Sequence, residues 1–281
     1  MTQVGWILEI RKKEKKNVDN TQNIISFCTG YGGIELGIKR AGVDVRTVCY
    51  LEIEVYVQAV LVKAMEEGRL CTAPVWSNAK TFPASEFRGK VHGITAGYPC
   101  QPFSSAGKRK GEEDPRHLWP YIRQHIRAIR PVWCFFENVR GHTTMGLWRV
   151  LSDLEEDGYR TEWGLFSAEE TGAPHQRIRV FILAHTASRE PRQSQARNGG
   201  QDIGGGSEDT RWPARPGEEQ YEWEEPRVTE AQSELGGAVD GSRSGVDAIT
   251  NRVDRLRLLG NGVCPQTAEI AWRTLWKEIE K

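Results

Sequence analysis

Apolar and polar positions alternate along the chain from residue 23 to about residue 185. Short runs rich in β-branched or aromatic residues are followed by longer amphipathic stretches, which is the pattern of alternating strands and helices. The strand-like runs lie at 24–28, 45–51, 91–96 and 132–136. This alternation predicts an α/β fold. Near the C-terminus, five apolar residues share one helical face and predict a core helix: Ala268, Ala271, Trp272, Leu275 and Ile279.

Length, charge and cysteine content narrow the class of protein. The chain has 281 residues, 38 basic and 38 acidic side chains, and no net charge. That length suits one large domain or a large and a small one. No apolar run approaches the roughly eighteen residues of a membrane span, and the first residues lack the apolar core of a signal peptide, so we expect a cytoplasmic protein. The 6 cysteines show no CxxC spacing, which argues against a structural zinc site and a disulfide framework, and we expect no metal.

A glycine-rich turn follows the first predicted strand. The sequence Thr29-Gly30-Tyr31-Gly32-Gly33 separates that strand from an amphipathic stretch at 34–42. Glycines here let the backbone approach a ligand and leave helix N-terminal amides free, although a purely structural turn is an open alternative. Glu52 stands at the tip of the next strand, about twenty positions further on, where an acidic residue can accept hydrogen bonds from ribose hydroxyls. The turn and the acid together indicate an adenosine-containing cofactor.

A cysteine lies between two prolines just after the run at 91–96. The segment reads Gly97-Tyr98-Pro99-Cys100-Gln101-Pro102-Phe103-Ser104. Because both prolines fix φ and withhold amide donors, the segment predicts a rigid loop that holds the Cys100 thiol in one pose. The alternative is that Cys100 is a small buried apolar residue, as most cysteines are. That interpretation suits the cysteines in mostly apolar surroundings, which are Cys28, Cys49, Cys71, Cys134 and Cys264.

The segment GYPCQPFS resembles the catalytic loop of DNA cytosine-5 methyltransferases of the bacterial or phage type. The stretches before and after it match the family's other motifs in the family's order, from about Ile24 to Trp272. The resemblance implies a Rossmann-like S-adenosylmethionine-dependent methyltransferase sheet with a small inserted target-recognition region. It also implies that Cys100 attacks C6 of a cytosine flipped out of the DNA, after which C5 takes the methyl group.

The same resemblance assigns a set of cofactor residues. It implies that Glu52 binds the ribose, that Ile53 lies against the adenine, and that Asn261 in a Gly-Asn-Gly turn holds the methionine part. Two departures from the family are visible. The residues Ser26-Phe27-Cys28 replace an Asp-Leu-Phe run, which bears on whether Phe27 stacks on the cofactor, and Asn78 stands where the family has an acidic residue. The full set is Gly30, Tyr31, Gly32, Gly33, Glu52, Ile53, Asn78, Pro99 and Asn261.

The catalytic residues that the resemblance implies are Cys100, Glu137, Arg177 and Arg179. Glu137 follows the strand at 132–136, where α/β enzymes place chemistry, although alone it could be a helix cap or an ion-pair residue. A carboxyl pKa raised by burial would let Glu137 donate to N3 of cytosine near neutral pH. Arg177 and Arg179 are predicted at alternate positions of one strand, and so on one face, either as a salt-bridge ladder or in the active site. The resemblance matches Arg179 to the arginine that contacts the cytosine carbonyl.

Composition and apolar pattern divide the chain into four regions. We expect a charged extension that is solvated or contacts the DNA backbone, a catalytic domain, a partly flexible target-recognition region, and a C-terminal segment that returns to the catalytic domain. Their bounds are 1–22, 23–185, 186–250 and 251–281.

Two stretches could contact DNA outside the catalytic residues. The basic stretch 107–111 is either a solvated loop or a phosphate contact. The recognition region is more acidic than basic, so a disordered linker over 187–210 is an open alternative there. Candidate base or phosphate readers are Arg211, Arg215, Arg227 and Arg243.

We therefore expect a DNA cytosine-5 methyltransferase that uses S-adenosylmethionine and acts on double-stranded DNA. We expect a monomer that associates with the nucleoid and is either paired with a restriction endonuclease for the same site or solitary. An RNA (tRNA) cytosine-5 methyltransferase and an inactive DNA-binding relative are the two alternatives. The target sequence depends on loop geometry and DNA deformation, which no residue list encodes.

Overall fold

In the computed structural model of the protein, residues 21–99, 118–186, 197–198 and 252–281 are described. These residues form eight strands, which are β1 (Gln22–Phe27), β2 (Val45–Leu51), β3 (Val75–Trp76), β4 (Gly93–Ala96), β5 (Trp133–Val139), β6 (Arg160–Phe166), β7 (Arg179–His185) and β8 (Arg197–Asn198). The α-helices of the same residues are α1 (Gly33–Arg40), α2 (Val55–Glu66), α3 (Trp119–Ile129), α4 (His142–Met145), α5 (Leu147–Glu156), α6 (Arg252–Asn261) and α7 (Pro265–Ile279).

The strands form one sheet in the order β3-β2-β1-β4-β5-β7-β6-β8. Strands β1 to β5 run parallel to one another, whereas β7 is antiparallel to both β5 and β6. The chain moves outward from β1 to β3 and then returns to the other side of β1 as β4. Ligands in open α/β sheets bind at such a switch point, outside the carboxyl ends of the strands. The expected location of the site is therefore the carboxyl edge of β1 and β4.

One face of the sheet is covered by α1 and α7. Their apolar residues pack with Phe135 of β5 and Phe181 of β7 in one buried cluster. Trp272 of α7 makes edge-to-face contacts with Trp133 at 4.8 Å and with Phe135 at 5.1 Å between ring centroids. All five residues of the predicted apolar face of α7 are buried, so that prediction is confirmed.

Helices α1 and α7 approach each other closely at Gly37. A Cβ atom on Gly37 would lie 2.5 Å from the Cβ of Ala268 and 2.7 Å from the carbonyl oxygen of Pro265. Only glycine fits at a backbone contact this close. The glycine therefore sets how closely α7 packs on α1. The chain that leads into α7 comes from the carboxyl edge of the sheet, so this packing also positions that part of the chain.

The other face of the sheet is covered by α3 and α5. Ile122, Ile126 and Leu151 of these helices pack with Ile25 and Phe136 of the sheet. Arg123 of α3 forms ion pairs with Asp153, Glu156 and Asp157 of α5 and the residue that follows it. The sheet is thus buried on both faces, which is the Rossmann-like α/β arrangement that the sequence predicts.

Several predicted bounds are corrected by the structure. The predicted strand at 45–51 is confirmed, whereas the strand at 132–136 extends to Val139, so Glu137 lies within β5. Gly260 and Asn261, predicted in a turn, are the last residues of α6, and the turn begins at Gly262.

Some predicted features lie outside the described residues. They are the extension up to residue 20, Cys100, the basic stretch 107–111, and Arg211, Arg215, Arg227 and Arg243. Within the described ranges, no helix combines the length and apolarity that a membrane crossing requires. The same ranges contain no group of three or more His, Cys, Asp or Glu side chains placed to hold a metal ion.

Candidate active site

The turn between β1 and α1 is built from left-handed backbone conformations. Cys28, Gly30 and Gly32 have φ angles of 50, 58 and 87 degrees. The amide of Gly32 donates to the carbonyl oxygen of Thr29 at 3.0 Å and closes the turn. A Cβ atom on Gly30 would meet no described atom within 4 Å, so open space lies in front of the turn. A ligand can approach the backbone there.

Glu52 is held beside this turn by backbone amides. Its Oε2 accepts a hydrogen bond from Gly30 at 3.1 Å, and its Oε1 accepts one from Glu54 at 3.1 Å. Burial raises the pKa of the Glu52 carboxyl, and these amides oppose the shift. Each carboxylate oxygen has a second lone pair. Glu52 is thus fixed at the end of β2 and retains acceptor capacity for a ribose.

Exposed apolar side chains continue along the same edge. Ile53 is 70% exposed and Trp76, at the end of β3, is 39% exposed. Asn78 is exposed, and its side-chain oxygen accepts from the amide of Lys80 at 2.9 Å, which caps a short 3-10 helix. An acidic acceptor, open space at a glycine and exposed apolar surface are the features that an adenosine group requires, so these residues fit S-adenosylmethionine.

Phe27 points away from this edge. It is fully buried and contacts the rings of Phe82 and His125, with centroids 5.8 and 5.4 Å away. Phe27 therefore belongs to the core between the sheet and α3 and does not stack on a ligand at the carboxyl edge.

The turn is supported from behind by the chain between α6 and α7. The Tyr31 hydroxyl donates to the carbonyl oxygen of Val263 at 2.6 Å, and a Cβ on Gly262 would lie 1.9 Å from the Tyr31 ring. A Cβ on Gly33 would lie 2.0 Å from the same Val263 oxygen. Tyr31 and Gly33, predicted to contact the cofactor, are therefore required for packing, and the Tyr31 side chain faces the protein interior.

Glu137 and Arg179 are paired at the carboxyl end of β5. Glu137 is buried, and the Nε atom of Arg179 lies 3.0 Å from its Oε1. Burial raises the pKa of the Glu137 carboxyl to about 7, although the charges of Arg179 and Arg177 pull it in the other direction. A carboxyl group with a pKa near 7 can donate a hydrogen bond at neutral pH and can also give up its proton.

The prediction that Arg177 shares a strand face with Arg179 is wrong. Strand β7 begins at Arg179, and Arg177 has a φ of 40 degrees, which breaks the alternation of side chains. The Nη2 atom of Arg177 donates to three carbonyl oxygens near the end of α6, at 3.0 Å to Leu259, 2.9 Å to Gly260 and 2.5 Å to Gly262. Arg177 therefore links the residues just before β7 to the end of α6.

The chain that leads to Cys100 passes directly beside Glu137. A Cβ on Gly97 would lie 3.7 Å from the Oε2 atom of Glu137 and 3.5 Å from the carbonyl oxygen of Cys28. Pro99, the last described residue of this segment, is exposed at the same edge. The segment that leads to Cys100 thus lies close to Glu137, with room for little more than one carbon atom between them at Gly97.

Two hydrogen bonds that hold the segment before Cys100 were not predicted from the sequence. The amide group of Asn138 donates to the carbonyl oxygen of Tyr98 at 3.0 Å, and the Tyr98 hydroxyl forms a 3.1 Å hydrogen bond with Nε2 of His142. Asn138 could have been found from its place next to Glu137. No sequence signal identifies His142, because it lies 44 residues from Tyr98.

Asn261 is exposed at the end of α6. It stands between Gly260 and Gly262, whose carbonyl oxygens are held by Arg177. Leu258 and Leu259 of the same helix pack with Tyr31 in a buried cluster. The position of Asn261 is thus fixed relative to the turn after β1.

The fold and this edge define the class of the protein. The structure resembles the Entamoeba histolytica methyltransferase EhMeth with a TM-score of 0.63 at 16% identity, over 93% of this chain and 99% of that one. It resembles a mutant of Spodoptera frugiperda DNMT2 with a TM-score of 0.52 at 21% identity, over 64% of this chain and 56% of that one. The chain therefore has the Rossmann-like α/β fold of these methyltransferases.

The sequence comparison identifies the family. The model for C-5 cytosine-specific DNA methylases matches residues 22–238, and the chain belongs to that family. It is 32% identical to the type II methyltransferase M.BanI of Aneurinibacillus aneurinilyticus over 59% of this chain, and 32% identical to M.NaeI of Lentzea aerocolonigenes over 57% of it. The matched part covers 39% of the length of each of these two relatives.

Proposed function

We propose that the protein transfers a methyl group from S-adenosylmethionine to C5 of a cytosine flipped out of double-stranded DNA. The observation that supports this most strongly is that the backbone at Gly97, three residues before Cys100, faces the buried Glu137 carboxyl, which is paired with Arg179. Covalent activation of cytosine needs a nucleophile at C6 and a hydrogen-bond donor at N3 on one base. Glu137 at this edge would supply the donor, and Cys100, which follows Pro99 in the chain, would supply the nucleophile.

The chemistry begins with Cys100. Its thiolate adds to C6 of the flipped cytosine, a carbon–sulfur bond forms, and the electron pair of the C5–C6 double bond moves onto C5 and the ring. Glu137, protonated because burial raises its pKa to about 7, donates to N3 and stabilises that negative charge. Arg179 contacts the cytosine carbonyl and orients the Glu137 carboxyl through the 3.0 Å contact between its Nε and Oε1 of Glu137. C5 thereby becomes nucleophilic.

S-adenosylmethionine, when bound, would supply an electrophilic methyl group for C5, with its S–CH₃ bond breaking and S-adenosylhomocysteine as the leaving group. The C5 proton then leaves to a base, the carbon–sulfur bond breaks, and the Cys100 thiolate is regenerated. Glu52 receives the ribose hydroxyls, Ile53 and Asn78 lie at the adenine, and Gly30 and Gly32 face the cofactor with their backbone. Asn261, held by the Arg177 contacts on either side of it, and Pro99 complete the proposed cofactor site.

The proposal also covers target recognition, oligomeric state and cellular role. We assign residues 186–250 to recognition of the DNA target, because that interval precedes the segment that returns to the cofactor turn. The described residues of both sets, Glu52 and Glu137 among them, lie on one sheet edge of one chain, which supports action as a monomer. The likeness to type II methyltransferases supports a restriction-modification role with a cognate endonuclease, and the DNA substrate supports action at the nucleoid.

Transfer of label from S-adenosyl-L-[methyl-³H]methionine to nucleic acid tests this proposal. The protein is incubated with double-stranded DNA of mixed sequence, with tRNA, or with both in competition, and the labelled base is identified as a nucleoside. We expect 5-methylcytosine in DNA and not in tRNA. Label in tRNA alone would make the protein an RNA methyltransferase, and label in neither would support an inactive DNA-binding relative.

A further inference from the structure

A tyrosine and a histidine share a buried hydrogen bond next to the proposed catalytic residues. The Tyr98 hydroxyl and Nε2 of His142 are 3.1 Å apart, and the two residues are 2% and 1% exposed. Tyr98 lies two positions before Cys100. His142 is the first residue of α4, which follows β5 and the Glu137 carboxyl.

Tyr98 is the point at which the segment before Cys100 is fixed. Its carbonyl oxygen accepts from Asn138, and its ring contacts Trp119 and Phe136 with centroids 5.7 and 6.1 Å away. At Gly97, the preceding residue, a Cβ atom would lie 3.7 Å from Oε2 of Glu137, so this part of the backbone faces the carboxyl. Movement of the Tyr98 ring would therefore move the backbone that faces Glu137.

The polar pair is not needed to fill this space. The surroundings are aromatic, and a phenylalanine would occupy the volume of Tyr98 with no polar atom to bury. A buried hydroxyl and imidazole each lose hydration and recover it only through a partner. Burial also lowers the pKa of His142 to about 4, so the imidazole is neutral at physiological pH. A bond of this kind defines one orientation of the two rings more than it adds stability.

We propose that His142 is a positioning residue that acts through the Tyr98 hydroxyl to hold the Gly97–Pro99 segment against the Glu137 carboxyl. This inference rests on the proposed methyl transfer. His142 touches neither cytosine nor cofactor in this role. It fixes the separation between the thiol that attacks C6 and the carboxyl that serves N3, and small errors in such a separation slow a reaction strongly.

Single and double variants test the bond. Tyr98→Phe removes only the hydroxyl, His142→Phe removes only the imidazole nitrogens in a similar volume, and His142→Gln keeps a polar group near the position of Nε2. We expect kcat for methyl transfer to fall about tenfold in each Phe variant, with the S-adenosylmethionine Kd unchanged. Because one bond is lost in both, the double variant is expected to be no slower than the slower single variant. His142→Gln is expected to recover part of the rate.

Tyr159 supplies a matched control. It is another buried tyrosine, 3% exposed, and its hydroxyl donates to the carbonyl oxygen of Pro131 at 2.8 Å at the opposite end of the sheet. Tyr159→Phe loses a comparable buried hydrogen bond and is expected to keep the wild-type kcat. Equal losses of kcat in Tyr98→Phe and Tyr159→Phe, or additive losses in the double variant, would show a general effect on stability and overturn the inference.

A second measurement does not depend on activity. The Gly97 amide donates to the carbonyl oxygen of Phe27 at 3.3 Å, so hydrogen exchange of the peptide that contains Gly97 and Tyr98 reports how firmly the segment is held. We expect at least about threefold faster exchange there in Tyr98→Phe and His142→Phe, and wild-type exchange in Tyr159→Phe. Unchanged exchange in the first two variants would overturn the positioning role. A wild-type protein that methylates no DNA would contradict the proposed function instead, while this measurement still decides the inference about His142.

Discussion

Arg179 and Glu137 are diagonal neighbours on antiparallel strands, and their Nε and Oε1 atoms are 3.0 Å apart. Phe181 lies opposite Glu137 in the register of β5 and β7, so Arg179, two residues earlier, shares the face of Glu137. The arginine charge lowers the pKa of the carboxyl, and burial raises it by more. The pair therefore keeps a carboxyl that is half protonated near pH 7 at the end of a buried strand.

The pH dependence of methyl transfer follows from the raised pKa of Glu137. Its protonated form is the donor to N3, so that form is complete below pH 6 and is lost as the pH rises through about 7. We expect kcat/KM to decrease on the alkaline side with an apparent pKa near 7. Glu137→Gln is expected to lower the rate about a hundredfold and to lack this alkaline limb, because an amide does not titrate.

Initial rates of methyl transfer between pH 5.5 and 9 measure this effect in both proteins. If Glu137→Gln retained an alkaline limb at the same pH, the limb would belong to another group and the role of Glu137 as donor would be wrong.

Glu52 is expected to control cofactor affinity. Glu52→Gln removes one acceptor from the proposed ribose contact and places an NH₂ group where two backbone amides donate, so S-adenosylmethionine binding should weaken at least about tenfold. Isothermal titration calorimetry measures the Kd. The control is Glu54→Gln, since Glu54 is two residues away and pairs with Arg257 at the surface. Equal Kd values for the two variants would show that Glu52 does not contact the cofactor.

Arg177 is expected to act on the cofactor through the C-terminal segment. Arg177→Lys ends one bond short of the Nη2 position, so the contacts with the carbonyl oxygens of Leu259, Gly260 and Gly262 should weaken and the position of Asn261 should loosen. We expect the S-adenosylmethionine Kd to rise about tenfold. Arg273→Lys is the control, because Arg273 lies on α7 and contacts Glu269 and Arg40 away from the carboxyl edge. A direct catalytic role would instead reduce kcat and leave the Kd unchanged.

Gly37 is expected to be intolerant of any side chain. Gly37→Ala would place a methyl group against Ala268 and the backbone of α7, and such overpacking costs about 1–3 kcal/mol in the free energy of unfolding. Urea denaturation measures this cost. Gly260→Ala serves as the control, since a Cβ there meets no described atom within 4 Å and helical alanine is favoured over glycine by up to about 1 kcal/mol. Equal stability of the two variants would contradict the close packing of α1 on α7.

The parts of the fold that follow local periodicity could be predicted from the sequence. Strand β2 and the buried face of α7 depend on apolar positions close together in the chain, and both were found with the correct residues. The glycine turn, Glu52 and Glu137 were each placed near the end of a predicted strand, and they lie at one edge of the sheet because β1, β2 and β5 run in the same direction.

The remaining features depend on residues far apart in the chain. Tyr31 meets Val263, which is 232 residues away, so the packing role of the turn was hidden. The prediction that Arg177 and Arg179 alternate along one strand was wrong because Arg177 has a positive φ angle, which is rare for arginine. Its side chain contacts the end of α6, far away in the sequence. The pairing of Tyr98 with His142 was hidden for the same reason as that of Tyr31.

Bisulfite sequencing of DNA from cells that express the protein tests the central claim most directly. Wild-type protein is expected to leave protected cytosines, that is 5-methylcytosine, at one recurring short sequence. Cys100→Ser is expected to leave none while it binds S-adenosylmethionine with the wild-type Kd. Methylation by Cys100→Ser at the wild-type level, or no protected cytosine with folded wild-type protein that binds S-adenosylmethionine, would contradict the account.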